Sequence, residues 1–193
     1  MGKIGLFDLE KHFSFYGAYH SNPINILIHT IFVWPLLFTA LVILYFTPAL
    51  IECPFQCKIG LIPNIGFVFT LIYAGFYICL DRKAGTLAAF LCLVCWVFGS
   101  LLAKNLGFSL AWKVVLAAQI ICWTGQFIGH GVFERRAPAL LDNLLQAFVM
   151  APFFVVLEVL QMGFGYEPYP GFHARVKDNI DAEIKIYKEK KKM

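Results

Sequence analysis

Charged residues punctuate this chain so sparsely that the apolar stretches between them set its architecture. No Asp, Glu, Lys or Arg occurs between Lys11 and Glu52, Lys58 and Asp81, Lys83 and Lys104, or Lys113 and Glu134. The last three stretches hold 22, 20 and 20 residues, and about 20 apolar residues cross a hydrocarbon core of about 30 Å as a helix. Lipid offers the backbone no hydrogen-bond partners, so spanning stretches must be helical. The pattern predicts four transmembrane helices, at 24–50, 59–80, 84–103 and 114–133. A fifth apolar segment, 144–165, contains Pro152 and the ionisable Glu158, and its uncharged run from Asn143 to Leu157 is only 15 residues.

The positive-inside rule decides how to treat that segment. With four spans, thirteen Lys and Arg fall on one side and three, Lys58, Lys104 and Lys113, on the other. Five full spans give a split of ten against six. Four transmembrane helices plus a fifth re-entrant or interfacial segment is therefore the expected topology, with both termini cytosolic. Composition agrees: 60% of residues are hydrophobic, 15% are charged, and mean hydropathy is +0.71. Soluble domains carry about 45–50% apolar and about 25% charged residues. The fold class is thus an all-α, polytopic membrane helix bundle; a disordered chain, a disulfide-rich secreted scaffold and a nucleic-acid binder are excluded. A membrane domain over 1–172 and a Lys-rich cytosolic tail over 173–193 are expected.

In the tail, Val176, Ile180, Ile184 and Tyr187 recur at helical spacing among charges. They predict an amphipathic helix on the membrane surface, with a solvated tail as the alternative. Lys190 and Lys191, four and three residues from the end, match a dilysine ER-retrieval signal. No secretory signal peptide is expected, because the first 20 residues lack an apolar core. Cys79, Cys92, Cys95 and Cys122 lie within predicted spans as small hydrophobes, whereas Cys53 and Cys57 sit in a lumenal loop and could be bridged.

Polar residues at membrane depth are expensive and mark function. His12 and His173 lie in charged surroundings and are expected to be solvated. His20, His29 and His130 all fall at the cytosolic face. On one continuous helix, His20 and His29 would be separated by about 13 Å of rise. Asn22 and Pro23 are a favoured N-cap and first helical residue, so a helix starting at Pro23 leaves His20 in a loop, free to fold back towards His29. Gly129 and Gly131 flank His130 and permit close approach or a helix end. Glu134 is read as a ligand, as a group orienting His130, or as a surface charge beside Arg135 and Arg136. Asp142 and Asn143 are placed to cap the fifth segment, and Glu158 must be paired, protonated or near headgroups. Three His with a carboxylate suit Fe(II) oxygenases and catalytic zinc alike. Five His in all cannot build the His-box di-iron site of membrane desaturases.

The two His-bearing blocks resemble a known family. Phe15-Tyr16, Tyr19-His20, Asn22-Pro23 and Leu27-Ile28-His29, then Gln126 to Arg136, Pro138-Ala139-Leu140 and Asp142-Asn143, are similar to the motifs of the ER-membrane 2-hydroxy fatty acid dioxygenases. Its studied fungal member acts in α-oxidation during phytosphingosine breakdown. The resemblance implies Fe(II) as cofactor, O2 as co-substrate without 2-oxoglutarate, and a long-chain 2-hydroxy fatty acid shortened by one carbon. It implies His20, His29 and His130 as metal ligands. Glu134, Arg135 and Arg136 are candidate catalytic residues, the arginines for the substrate carboxylate. Asp142, Asn143 and Glu158 form a second tier. The competing readings are a ceramidase-like, zinc-dependent lipid amide hydrolase within the membrane and a non-catalytic ER scaffold.

Overall fold

The computed structural model describes residues 5–51, 59–138 and 143–190. Cys53, Cys57, Asp142 and the dilysine residue Lys191 lie outside the described residues. Within those described, all regular structure is helical: α1 (Leu9–Tyr19), α2 (Pro23–Leu44), α3 (Ile65–Leu80), α4 (Arg82–Ile128), α5 (Ala151–Phe164) and α6 (Phe172–Lys190), with π-helical turns at Gly129–Glu134 and Gln146–Met150. The chain forms two compact units, Met1–Thr30 with Phe127–Met193, and Ile31–Gln126.

In the unit 31–126, packing is the reverse of a soluble core. The buried residues of α4 are mostly Ala, Gly, Ser and Cys, including Ala84, Gly85, Ala88, Gly99, Ser100 and Ala103. Phe90, Phe98, Phe108 and Ile121 are instead exposed. Small residues let helix backbones approach where lipid, already apolar, gives no drive to bury large side chains. Gly85 shows the consequence, since a Cβ there would collide with the Tyr77 carbonyl. Pro23–Leu44, Arg82–Glu134 and Gln146–Phe164 are each long and apolar enough to cross a membrane, and Ile65–Leu80 is a shorter apolar helix.

The first two predicted spans prove too long. Helix α2 ends at Leu44 rather than Leu50, and α3 starts at Ile65 rather than Ile59. Buried Asn64 sets both limits. Its Oδ1 accepts from Phe67 N at 3.2 Å to cap α3, while its Nδ2 donates to Leu44 O and Tyr45 O at 3.0 Å, satisfying carbonyls at the end of α2. The connector residues on either side of the charged stretch, 45–51 and 59–63, remain largely apolar, so charge spacing could not mark where the helices end. The third and fourth predicted spans are two helices that meet at Gly107, whose non-helical φ of 65° and ψ of 161° suit glycine. Ala103 and Ala111, on either side of it, are fully buried with Val42 and Val115 in one cluster.

The other unit is built around aromatic rings. Phe13 of α1 packs against Tyr16, Phe154 of α5 and Phe172 of α6, with centroids 6.0, 5.5 and 5.8 Å away. All seven residues from Pro152 to Glu158 are buried, so two turns of α5 are enclosed by protein on every face. The tail forms a helix, and its apolar stripe packs on α1: Phe172 and Val176 are buried, and Ile180 occupies the space a Cβ on Gly17 would need. Arg175 Nε and Tyr169 Oη both donate to Glu10 Oε2, at 2.9 and 2.8 Å.

Candidate metal centre

Three separate segments bring His20, His29 and His130 together. Helix α1 ends at Tyr19, leaving His20 in the turn before α2. Asn22 Oδ1 then accepts from Ile24 N at 2.9 Å to cap α2, so the expected helix start at Pro23 is observed. His29 lies on the second turn of α2, and His130 is the second residue of the π-helical turn after α4. Ring centroids are 4.3 Å apart for His20–His29, 4.8 Å for His20–His130 and 4.9 Å for His29–His130. All three side chains are buried, and one nitrogen from each lies within 4.8 Å of the others. Among the described residues this is the one group of His, Cys, Asp or Glu so placed.

The backbone selects which nitrogens face inward. His20 N bonds to Gly17 O at 3.1 Å as α1 tightens at its end. That frees the Tyr16 carbonyl, which accepts from His20 Nδ1 at 2.8 Å. His29 Nδ1 donates to Asn25 O at 3.0 Å. Both Nδ1 atoms therefore carry the proton, and both Nε2 atoms keep a lone pair. His20 Nε2 and His130 Nδ1 are buried with no hydrogen-bond partner. Burial above all, with His29 and His130 alongside, holds His20 well below the usual imidazole range and keeps it neutral.

Such a donor set fits a metal ion. Orphaned buried polar atoms are costly, and a transition metal is a partner that neutral imidazole lone pairs can take. Metal–nitrogen bonds run about 2.0–2.1 Å for zinc, so three nitrogens on one tetrahedral ion stand about 3.4 Å apart, and the imidazoles, now within 4.8 Å of one another, would draw together to seat one. The π-helical turn contributes to this, as such turns often do at functional sites. Gly129 at its start touches Asn25, and a Cβ there would strike Asn25 Oδ1. Gly131 has nothing within 4 Å of a built Cβ, so of the two flanking glycines only Gly129 is required by packing.

Glu134 lies outside the histidine group. Its Oε1 accepts from Ser21 N at 2.5 Å, Asn22 N at 2.6 Å and Asn25 Nδ2 at 3.4 Å, and its Oε2 from Ser21 Oγ at 3.0 Å. The carboxylate thus clamps the turn carrying His20 to the segment carrying His130. Arg136 donates to Ala18 O at 2.7 Å and lies between the rings of Tyr19, 3.5 Å away, and Tyr187, 4.3 Å away. Arg135 is exposed, with a left-handed φ of 53°. Asn143 Oδ1 accepts from Gln146 N at 3.1 Å and caps the fifth segment. Buried Glu158 accepts from Tyr16 Oη at 2.9 Å, and Tyr16 stacks on His20 with centroids 4.0 Å apart. Burial first, then the Glu158 carboxylate, push Tyr16 well above the usual phenol range, so it remains the donor.

Two expectations are corrected. His12 is buried rather than solvated: its Nε2 donates to Gly5 O at 3.0 Å, and its Nδ1 accepts from Gln146 Nε2 at 2.9 Å. His173 is half-buried, with Nε2 donating to Tyr166 O at 2.7 Å. Neighbouring charges in the sequence suggested water for both, but tertiary packing encloses them. Tyr16 and Asn25 were not singled out from the sequence. Each stands four residues before a site histidine, the spacing at which an imidazole reaches back to a helical carbonyl.

A family model described as 2-hydroxy-palmitic acid dioxygenase Mpo1-like matches residues 6–162. The chain is 35% identical over 182 residues to the 2-hydroxy-palmitic acid dioxygenase MPO1 of Saccharomyces cerevisiae, covering 94% of this chain and 92% of the yeast protein. No solved structure gives a significant match. All three histidines lie inside the matched family region, and α6 lies beyond it.

Proposed function

The chain belongs to the Mpo1-like family of 2-hydroxy-palmitic acid dioxygenases, and from that premise we propose that it is an Fe(II)-dependent dioxygenase of the ER membrane. In this reading it takes a long-chain 2-hydroxy fatty acid and O2 to an acid one carbon shorter, CO2 and water. The observation that carries the reading is the convergence of three buried imidazoles whose inward nitrogens lie within 4.8 Å of one another.

His20, His29 and His130 would hold the iron, leaving positions open for oxidative chemistry, as two or three His ligands do in non-haem oxygenases. A bound Fe(II) supplies the means of activating O2. The protein does the rest. Tyr16 O and Asn25 O fix the tautomers of His20 and His29, and hydrogen bonds of this kind orient metal ligands and raise their basicity. Glu134 holds the His20 turn in place. Burial of all three rings keeps bulk water from the centre, and the apolar helices admit a lipid substrate from the bilayer.

The experiment is anaerobic purification in detergent, Fe(II) loading, addition of 2-hydroxypalmitate and admission of O2, with products read by mass spectrometry. The expected result is pentadecanoate formed only when iron and O2 are both present. Absence of shortening under those conditions, or shortening that proceeds equally with zinc and no O2, would overturn the assignment.

A further inference from the structure

A groove of about 420 Å³ adjoins the histidine centre in the unit that contains it, with His20 itself part of the wall. That volume falls in the range of small-molecule sites, about 300–1,000 Å³. Phe13 from α1 and Met162 from α5 make one side apolar, and Val176 and Ile180 from α6 make the other. Lys177, exposed, brings an ammonium to the same lining. Neither Arg135 nor Arg136 is among the lining residues, and Arg136 is already engaged by Ala18 O and two tyrosine rings.

Resting on the dioxygenase reading, we propose that this groove seats the 2-hydroxy acid, that α6 is its selecting wall, and that Lys177 pairs with the carboxylate. Three features converge on this occupant. The groove reaches a residue of the metal centre, so a molecule lying in it would meet the reacting atoms. Its lining joins apolar side chains and the Lys177 ammonium with the polar groups of Gln161, His173 and Glu158, the last already bonded to Tyr16 Oη, and the apolar part with its cation suits an acyl chain that ends in a carboxylate. And α6, which supplies Val176, Lys177 and Ile180, lies outside the region the family model matches, where a selecting surface can vary without disturbing the histidines. The tail is then part of the site: Ile180 packs on Gly17 and Arg175 ties α6 to Glu10 of α1.

The test uses the full chain in detergent, with binding measured on metal-free protein by displacement of a fluorescent fatty acid. Lys177→Glu is expected to weaken 2-hydroxypalmitate about fivefold to tenfold, the scale of losing an exposed ion pair and adding repulsion. Lys177→Arg should bind as wild type, and 1,2-hexadecanediol, which lacks the carboxylate, should bind both Lys177 variants equally. Ala174→Trp, at an exposed lining position, should weaken acid and diol alike. In turnover, both weakening variants should raise KM more than they lower kcat, with iron content unchanged. If wild type turns over but Lys177→Glu and Ala174→Trp leave affinity and KM unaltered, the groove assignment is wrong and the dioxygenase reading stands. If wild type makes no shortened acid, the dioxygenase reading fails instead.

Discussion

At the residue scale, His20 and His29 are each held by a backbone carbonyl four residues back, which sequence spacing only partly discloses. His20 and His29 were legible as a pair because Asn22-Pro23 signals a new helix between them, and polar residues in an apolar run demand an explanation. Glu134 was legible as important, and the structure gives its contacts: it accepts four hydrogen bonds from Ser21, Asn22 and Asn25. Glu134→Gln should destabilise the protein by about 1.5–3 kcal/mol, the scale of hydrogen bonds to a charged group. Iron affinity should fall about tenfold to a hundredfold, as when a group that orients metal ligands is lost. Thermal unfolding in detergent and anaerobic iron titration check the two effects; a variant matching wild type in both would show that the clamp is dispensable. His12 was not legible, because its partner Gln146 lies 134 residues away and nothing local to either residue announces the contact.

At the element scale, charge spacing located the apolar helices but not their ends. Asn64 stops α2 and starts α3 with one side chain, a device invisible to hydropathy because the residues around it remain apolar. The break at Gly107 was legible in outline, since Lys104 and Lys113 flank it, but a connector over 104–113 was expected where a single non-helical glycine separates the two helices. A residue with a Cβ is strained in that conformation, at a cost of about 1–3 kcal/mol. Gly107→Ala should accordingly lower the unfolding temperature in detergent. Gly131→Ala, where a Cβ meets nothing within 4 Å and φ is not positive, should leave it unchanged or slightly raised. Equal effects at both positions would remove the strain argument.

At the scale of the whole molecule, the unit 31–126, with large apolar side chains outside and small ones between its helices, marks a membrane protein, and the charge gaps in the sequence declared as much. The fifth segment is where gap-counting was weakest. Gln146–Phe164 is long and apolar enough to cross, yet the buried turns around Phe154 are enclosed by protein. The positive-charge bias expects both termini on the cytosolic side. Epitope tags at the two ends should then both be digested by protease added to intact microsomes; a protected C-terminal tag beside a digested N-terminal one would mean that the fifth segment completes a crossing.

The central claim is that three histidines from three separated segments hold one catalytic iron. Iron stoichiometry and acid shortening should be measured together on wild type and on His20→Ala, His29→Ala and His130→Ala, with detergent elution profiles confirming folded protein. One iron per wild-type chain is expected, with each folded variant losing both the metal and the one-carbon shortening. A folded variant that keeps full iron, or that still shortens 2-hydroxypalmitate at the wild-type rate, would contradict it.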